Sequence, residues 1–257
     1  MGSGQLTLGS VIQLGPVEST NRYCETLDLE KVEDFTCYWA AEQTAGIGQR
    51  GNHWASAPGE NLTFSLVLKP TWLPASQQFR LTEALSLGVA DCLNGLKGFK
   101  GTKGLKGLNA IVKWPNDIYV GGKKICGMLV NNRLTGESIT ASVCGIGLNV
   151  NQSRFPDWVP NPTSLSLLTG ERHDLEPLLQ RLLESIERRY SQLRENRDLE
   201  EEYLSHLMNL GTPACYRHEG REVEATITGV DRHGRLLLDR SDGEKLCCGM
   251  KEIEFVI

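Results

Sequence analysis

No stretch of the 257-residue sequence comes near the roughly 20 consecutive apolar residues that a membrane-spanning helix requires. The first ten residues, MGSGQLTLGS, hold no basic region and no long apolar run, so they do not read as a secretory signal. A basic surplus is also missing. Lys and Arg number 27 against 32 Asp and Glu, for a net charge of -5, which excludes a binder dominated by nucleic-acid phosphates. The eight cysteines form no CxxC pair, and the five histidines form no cluster, so a zinc site is not expected. Cysteines scattered through apolar segments of a chain this long imply reduced, buried thiols and a cytoplasmic setting. No repeat of solenoid length occurs.

What is present is the make-up of an ordinary globular protein, 40% apolar and 23% charged, long enough for one large domain and a small one. Ser19 and Thr20 are candidate N-caps for a helix over NRYCETLDLEKV. Strands are predicted at 35–42 and 61–68, and a helix at 76–95. Between 96 and 108, Lys97, Lys100, Lys103 and Lys106 recur at every third position among glycines, which predicts a loop. A further strand is expected at 138–151, and amphipathic helices at 174–195 and 197–209. Gly211 and Pro213 mark a boundary. Beyond it, strands at 213–217, 222–230, 235–239, 245–248 and 252–257 predict a small SH3-like barrel. The expected fold is therefore α+β: a mixed-sheet main domain, 1–210, followed by the barrel, 211–257. In Cys247-Cys248, strand alternation would put the two side chains on opposite faces.

The most informative stretch is IVKWPNDIYVGGKKICGM, 111–128. A short strand is stopped by Pro115, Asn116 and Asp117 follow, and Gly121-Gly122 turns the chain into a strand that opens with Lys123 and Lys124. A carboxylate, an amide and a lysine at strand ends suit Mg-phosphate chemistry, with oxygen for the metal and an ammonium for the phosphate. A surface hairpin with solvated lysines has the same local pattern.

Context separates the two. GIGQRGNHW (46–54), KWPNDI (113–118) with GKKICGML (122–129), and GIGLNVN (145–151) occur in fixed order. With Ser19-Thr20-Asn21 and the terminal barrel, the chain resembles the biotin protein ligases, or biotin–[acetyl-CoA-carboxylase] ligases, over about residues 15–257. The resemblance implies a class II synthetase-like biotin/lipoate ligase fold. It also implies a two-step reaction: biotin and ATP give biotinyl-5′-AMP and pyrophosphate, and the biotinyl group then passes to one lysine of a biotin carboxyl carrier protein. ATP and biotin would be substrates, with Mg²⁺.

The resemblance also assigns residues. Lys124 matches the catalytic lysine, between the biotin carboxylate and the α-phosphate. Asp117 is the second catalytic candidate and the candidate Mg²⁺ ligand. Asn116, Lys113, Arg50, Trp54 and Asn149 fall on the ATP side, with Trp54 packing on adenine. Ser19, Thr20 and Gln43 match positions that hydrogen-bond the ureido ring, which needs both donors and acceptors. Asn21, Gly46, Ile47, Gly48 and Gln49 complete the biotin-facing set. Gly127, Gly145 and Gly147 would let sheet backbone approach the ring.

At one point the chain departs from the family pattern. The common loop form is GRGRxG, and here Ile47 and Gln49 stand where arginines are usual. A loop that grips phosphate less strongly would hold the adenylate less tightly. Three alternatives are a lipoate–protein ligase, a non-catalytic biotin-binding module and a biotin-responsive repressor. The repressor would need a DNA-binding helix-turn-helix ahead of a strand that begins by residue 35, and an acidic chain does not suit it. Neither nucleic acid nor membrane is an expected partner, and monomer and homodimer both remain open.

Overall fold

The computed structural model describes residues 9–96 and 107–256. The lysines at 97, 100, 103 and 106 lie outside the described residues. The chain runs β1 (Val11–Leu14), α1 (Thr20–Glu25), β2 (Thr36–Ala40), β3 (Leu62–Leu68), α2 (Phe79–Asn94), β4 (Ile111–Lys113), β5 (Asp117–Val120), β6 (Lys123–Thr135), β7 (Ser138–Leu148), α3 (Leu165–Thr169), α4 (Leu175–Arg194) and α5 (Glu200–Ser205). The terminal unit holds β8 (Pro213–His218), β9 (Arg221–Val230), β10 (Leu236–Arg240), β11 (Lys245–Cys248) and β12 (Ile253–Phe255).

Seven strands form one mixed sheet in the order β1-β2-β3-β7-β6-β5-β4. Only β1 and β2 pair in parallel. Period-two alternation sorts its two faces. Phe64, Leu66 and Leu68 of β3 and Cys144, Ile146 and Leu148 of β7 join the main core with α2, α4 and α5. Their neighbours Val67 and Val143 join a second cluster around Cys24 of α1. Helices therefore cover both faces, and α1 covers only part of its own. The two long helices cross closely: a Cβ on Gly88 of α2 would lie 2.7 Å from Ile186 Cα of α4, nearer than real Cβ atoms come.

The barrel is a five-stranded antiparallel sheet, β11-β10-β9-β8-β12, built around Tyr216, Ile227, Leu236, Leu238 and Ile253. Cys247 is exposed and Cys248 buried, as alternation requires, and all eight thiols are free. Three elements differ from the sequence expectation. The first helix stops at Glu25 instead of running on to residue 32. Strand β1 and helix α3 were not anticipated. Among the described residues no helix is long and apolar enough to cross a membrane.

Where α2 and α5 approach the barrel, Glu83 is buried and makes no hydrogen bond or ion pair among the described residues. Burial first, then the charge of Glu200, pushes its carboxyl up to about 7 against the opposing pull of Arg80. The folded chain thus keeps a proton that the unfolded chain releases near 4.5. Stability falls as pH rises through the window from about 4.5 to about 7, and is flat above it. Glu83→Gln is expected to remove that slope. Melting curves should show a gain of ~1–3 kcal/mol at pH 8 and little change at pH 5.

Candidate active site

The floor of the site follows from the same alternation. On the face opposite the helical core, Ser65, Gly145 and Leu129 align in one cross-strand row, and Thr63, Gly147 and Gly127 in the next. Three of these six positions lack a side chain, which leaves a hollow in the sheet. It becomes a cavity of about 140 Å³ beneath the glycine loop.

One end of the cavity is neutral and polar. Ser19 occupies the N-cap position of α1, but its hydroxyl makes no capping bond, and the side chain faces the cavity instead. Gln43 Oε1 accepts from the Thr20 backbone N–H at 2.7 Å and from its hydroxyl at 3.2 Å. Ser65 Oγ stands 2.8 Å from Thr20 Oγ1 and 2.5 Å from Asn21 Oδ1. Asn21 also reaches Leu129 O at 3.5 Å. Ser19, Thr20, Asn21 and Ser65 are all buried, so a fixed array of hydroxyl and amide groups lines this end.

The other end is charged. The pairing of β5 with β6 slips between Ile118 and Tyr119, a bulge of the kind that re-aims side chains beside a site. Lys124 Nζ meets Asp117 Oδ2 at 2.7 Å, each about a quarter exposed, and lies 5.7 Å from the centre of the Trp54 ring. Lys124 is also pinned through its backbone: its N–H donates to Asn161 O and its carbonyl accepts from Thr163 N. Asp117 is the only carboxylate among the described residues that line this cavity.

The loop 46–54 forms the roof as a small hairpin of its own. Ile47 bridges His53, and Gly48 N and Trp54 N donate to Asn52 O and Gly46 O. Its tip is a single 3-10 turn, Gln49–Gly51. Gln49 Nε2 donates to Asn116 Oδ1 at 3.3 Å, so the roof touches the KWPND loop through two neutral amides. Arg50 lies in this turn, and its side chain is outside the described residues.

A second cavity, about 480 Å³, opens beside Lys124. Phe155, Trp158, Val159, Pro160 and Pro162 give it apolar walls, and Trp158 is exposed at 59%. Asn149 lines it too. Its Nδ2 donates to Thr163 O, while its buried Oδ1 has no partner.

Several expected roles therefore shift. Gly127 and Gly147 lie under the indole of Trp54: a Cβ on either would come within 2.9 and 2.3 Å of that ring. Gly145 accommodates the amide of Asn21, at 2.2 Å from a would-be Cβ. Trp54 lines both cavities, and the aromatics that line the second but not the first are Phe155 and Trp158. Lys113 lines neither. Its ammonium sits between the rings of Tyr119 and Phe255 at 5.4 and 5.2 Å, and burial pushes its pKa down against the pull of Asp117. Asn116 is buried and holds Met128 O at 3.1 Å. Gly46 backs against Trp54 O and Gln43, outside the first cavity. Ser19, Thr20, Asn21, Gln43, Ile47, Gly48, Gln49, Asp117 and Lys124 do converge on that cavity. Sequence reasoning missed Ser65, Phe155 and Trp158. Alternation along NLTFSLVL is the signal that could have found Ser65, but nothing in FPDWVP marks its aromatics.

Among the described residues, no group of three or more His, Cys, Asp or Glu could hold a metal unaided. Mg²⁺ is usually held by one or two carboxylates together with substrate phosphates, and Asp117 can supply one. Cysteine chemistry does not fit the site. Cys126, beside it, is fully buried, and desolvation pushes its thiol far from ionisation.

The sequence model of the biotin/lipoate A/B protein ligase family matches residues 14–149, and that of the biotin protein ligase C terminal domain matches 214–252. The chain is 31% identical over 247 residues to the bifunctional ligase/repressor BirA of Escherichia coli, covering 92% of this chain and 71% of that one. It is 30% identical over 246 residues to the biotin–[acetyl-CoA-carboxylase] ligase of Mycobacterium tuberculosis, covering 93% and 85%. Among solved structures it is similar to the biotin protein ligase of Aquifex aeolicus in complex with biotin and ATP. That match has a TM-score of 0.76 and 25% identity, and covers 96% of this chain and 99% of that one.

Proposed function

The chain belongs to the biotin/lipoate A/B protein ligase family, and from that premise we propose that it joins biotin to ATP and passes the biotinyl group to a lysine of a biotin carboxyl carrier protein. The observation that carries this reading is one continuous hollow. Its neutral, pre-paired polar end suits a urea, and the Lys124–Asp117 pair lies at the other end.

A biotin in this cavity would set its ureido group among Ser19, Thr20, Asn21 and Gln43, and its carboxylate at the Lys124 ammonium. ATP would enter from the second cavity. Its adenine ring suits the Trp158, Phe155 and proline walls, and the unpartnered Asn149 Oδ1 suits the exocyclic amine. Lys124 lines both cavities and therefore sits where carboxylate and α-phosphate would meet. In the first step a carboxylate oxygen attacks the α-phosphorus and pyrophosphate leaves. A fixed ammonium there stabilises charge on the transferring phosphoryl group and costs no reorganisation. In the second step a lysine amine attacks the acyl carbon and AMP departs. Asp117, the one carboxylate among the described residues that line the cavity, is the group available to orient that amine or accept its proton. The neutral Gln49–Asn116 contact in the roof supports looser retention of the adenylate than an arginine would give.

A lipoate ligase would need the polar end to accept a dithiolane, which offers no urea to bind. The test is a transfer assay with ATP, Mg²⁺ and a purified carboxyl carrier domain, read by mass spectrometry. One biotinyl group on one carrier lysine, and no product with lipoate, is expected. Lipoyl transfer, or no transfer of either acid, would contradict the reading. In the same assay Trp158→Ala is expected to raise the KM for ATP about tenfold through lost stacking and to leave the KM for biotin unchanged.

A further inference from the structure

The four residues ahead of Asp117 are held from several sides, two of them by the barrel. The Lys113 ammonium lies between Tyr119 and Phe255, the latter on β12 of the barrel. Trp114 is buried, and its indole N–H donates to Gly234 O at 3.0 Å, in the turn between β9 and β10 of the barrel. The carbonyl of Pro115 accepts from Tyr203 Oη, on α5, at 2.7 Å. Asn116 is fixed by Met128 O and touched by Gln49. Asp117 alone faces the cavity, toward Lys124.

The barrel turn that receives Trp114 is itself stiff. Asp231 Oδ1 accepts from His233 N and Arg235 N, both at 2.9 Å, and Oδ2 takes Arg235 Nε at 2.7 Å. Gly234 has φ of +82°, and a Cβ there would lie 2.2 Å from the Phe79 ring of α2. Only glycine meets both conditions. The turn is therefore seated on α2 with its carbonyl aimed at Trp114, and it lines neither substrate cavity.

We infer that the barrel works as a clamp on the catalytic loop, with Trp114, the Asp231–Arg235 turn and Tyr203 acting as positioning residues that set Asp117 against Lys124. This rests on the ligase reading of the site. A clamp of this kind affects chemistry more than substrate binding, because the polar biotin end of the cavity is built from α1, β3 and Gln43, which the clamp does not touch. A small displacement of a reacting group is enough to slow a step by one to two orders of magnitude.

The experiment uses the full chain with three variants: Trp114→Phe, which keeps a ring and removes the donor; Asp231→Asn, which loosens the turn from the barrel side; and the two combined. Biotin-dependent pyrophosphate exchange, resolved into kcat and KM, is measured beside melting temperature. Amide hydrogen exchange of residues 111–120 is measured in parallel. The expected result is a kcat lowered about tenfold in each single variant. The KM for biotin should stay within about twofold, and the melting temperature should change little. The double variant should be no slower than the slower single one, since both remove one link. Faster amide exchange at 113–117 should accompany the loss. Unchanged kcat, or losses that multiply in the double variant, would overturn the clamp. If the wild type shows no biotin-dependent exchange, the ligase reading itself has failed. The amide-exchange comparison then still decides the mechanical link: an unaltered 113–117 segment refutes it, and a loosened one in both variants supports it.

Discussion

Lys124→Ala is expected to slow biotin-dependent pyrophosphate exchange by about 10²–10³-fold, while biotin still binds. The polar end of the cavity, with Thr20, Asn21, Gln43 and Ser65, is untouched by this change and should continue to hold the ureido group. What is lost is the one ammonium among the described residues that lines both cavities. Lys124→Arg is not expected to rescue the rate. The lysine sits 2.7 Å from Asp117 with its ammonium over the Trp54 ring, and a planar fork of five donors cannot occupy the same point. The check is rapid-quench detection of biotinyl-AMP with equilibrium dialysis of biotin alongside. A variant that binds biotin normally and makes adenylate at the wild-type rate would remove Lys124 from the chemistry.

Gly145→Ala is expected to act at the opposite end and on the other parameter. The added Cβ would come within 2.2 Å of Asn21 Oδ1 and 2.7 Å of Asn21 Cγ. Asn21 cannot swing away freely, because it is buried and held by Ser65 and Leu129 O. Displacing it breaks the hydroxyl and amide array on which the urea would rest. Losing two or three such hydrogen bonds, at ~0.5–1.5 kcal/mol each, should raise the KM for biotin by one to two orders of magnitude. The KM for ATP should be nearly unchanged, since the second cavity lies on the far side of Lys124. Isothermal titration with biotin and with ATP separates the two. Equal weakening of both ligands would show that the substitution damages the sheet in general.

Much of this architecture is legible in the residues themselves. NLTFSLVL alternates Leu62, Phe64, Leu66 and Leu68 with Thr63, Ser65 and Val67, so that strand and the face each residue takes follow from the pattern. SITASVCGIGL reads as a strand, but its core face changes parity between Ile139 and Cys144. The barrel strands were equally clear because three of the four turns carry a glycine at a left-handed position, Gly220, Gly234 and Gly243. Short elements without periodicity were not. Strand β1 has only four residues, three of them exposed, and α3 has five with one buried, so neither leaves a pattern. The first helix was read too long because the apolar residues Tyr23, Leu27 and Val32 continue a helical spacing that the chain answers with turns.

At the site, residue types and order brought many of the expected positions to one cavity, but side-chain direction did not follow from them. Lys113 and Lys124 look equivalent in sequence. One faces Asp117 across the bulge, whereas the other is drawn between two aromatic rings, one of them supplied by the barrel. The glycines of the floor were expected to let backbone approach a ligand, and in this structure Trp54 and Asn21 lie against them. The Gln49–Asn116 contact joins residues 67 positions apart, and the Trp114–Gly234 bond spans 120. No local pattern encodes such distant pairings.

The central claim is that this cavity makes an acyl-adenylate from biotin. Exchange of labelled pyrophosphate into ATP tests it most directly, with wild type and Lys124→Ala assayed side by side and biotin or lipoate as the acid. The account predicts exchange that requires biotin, needs no acceptor protein, is not supported by lipoate and is largely lost in the variant. Folded wild-type protein that binds biotin yet catalyses no exchange would contradict it and leave a binding module with a ligase fold.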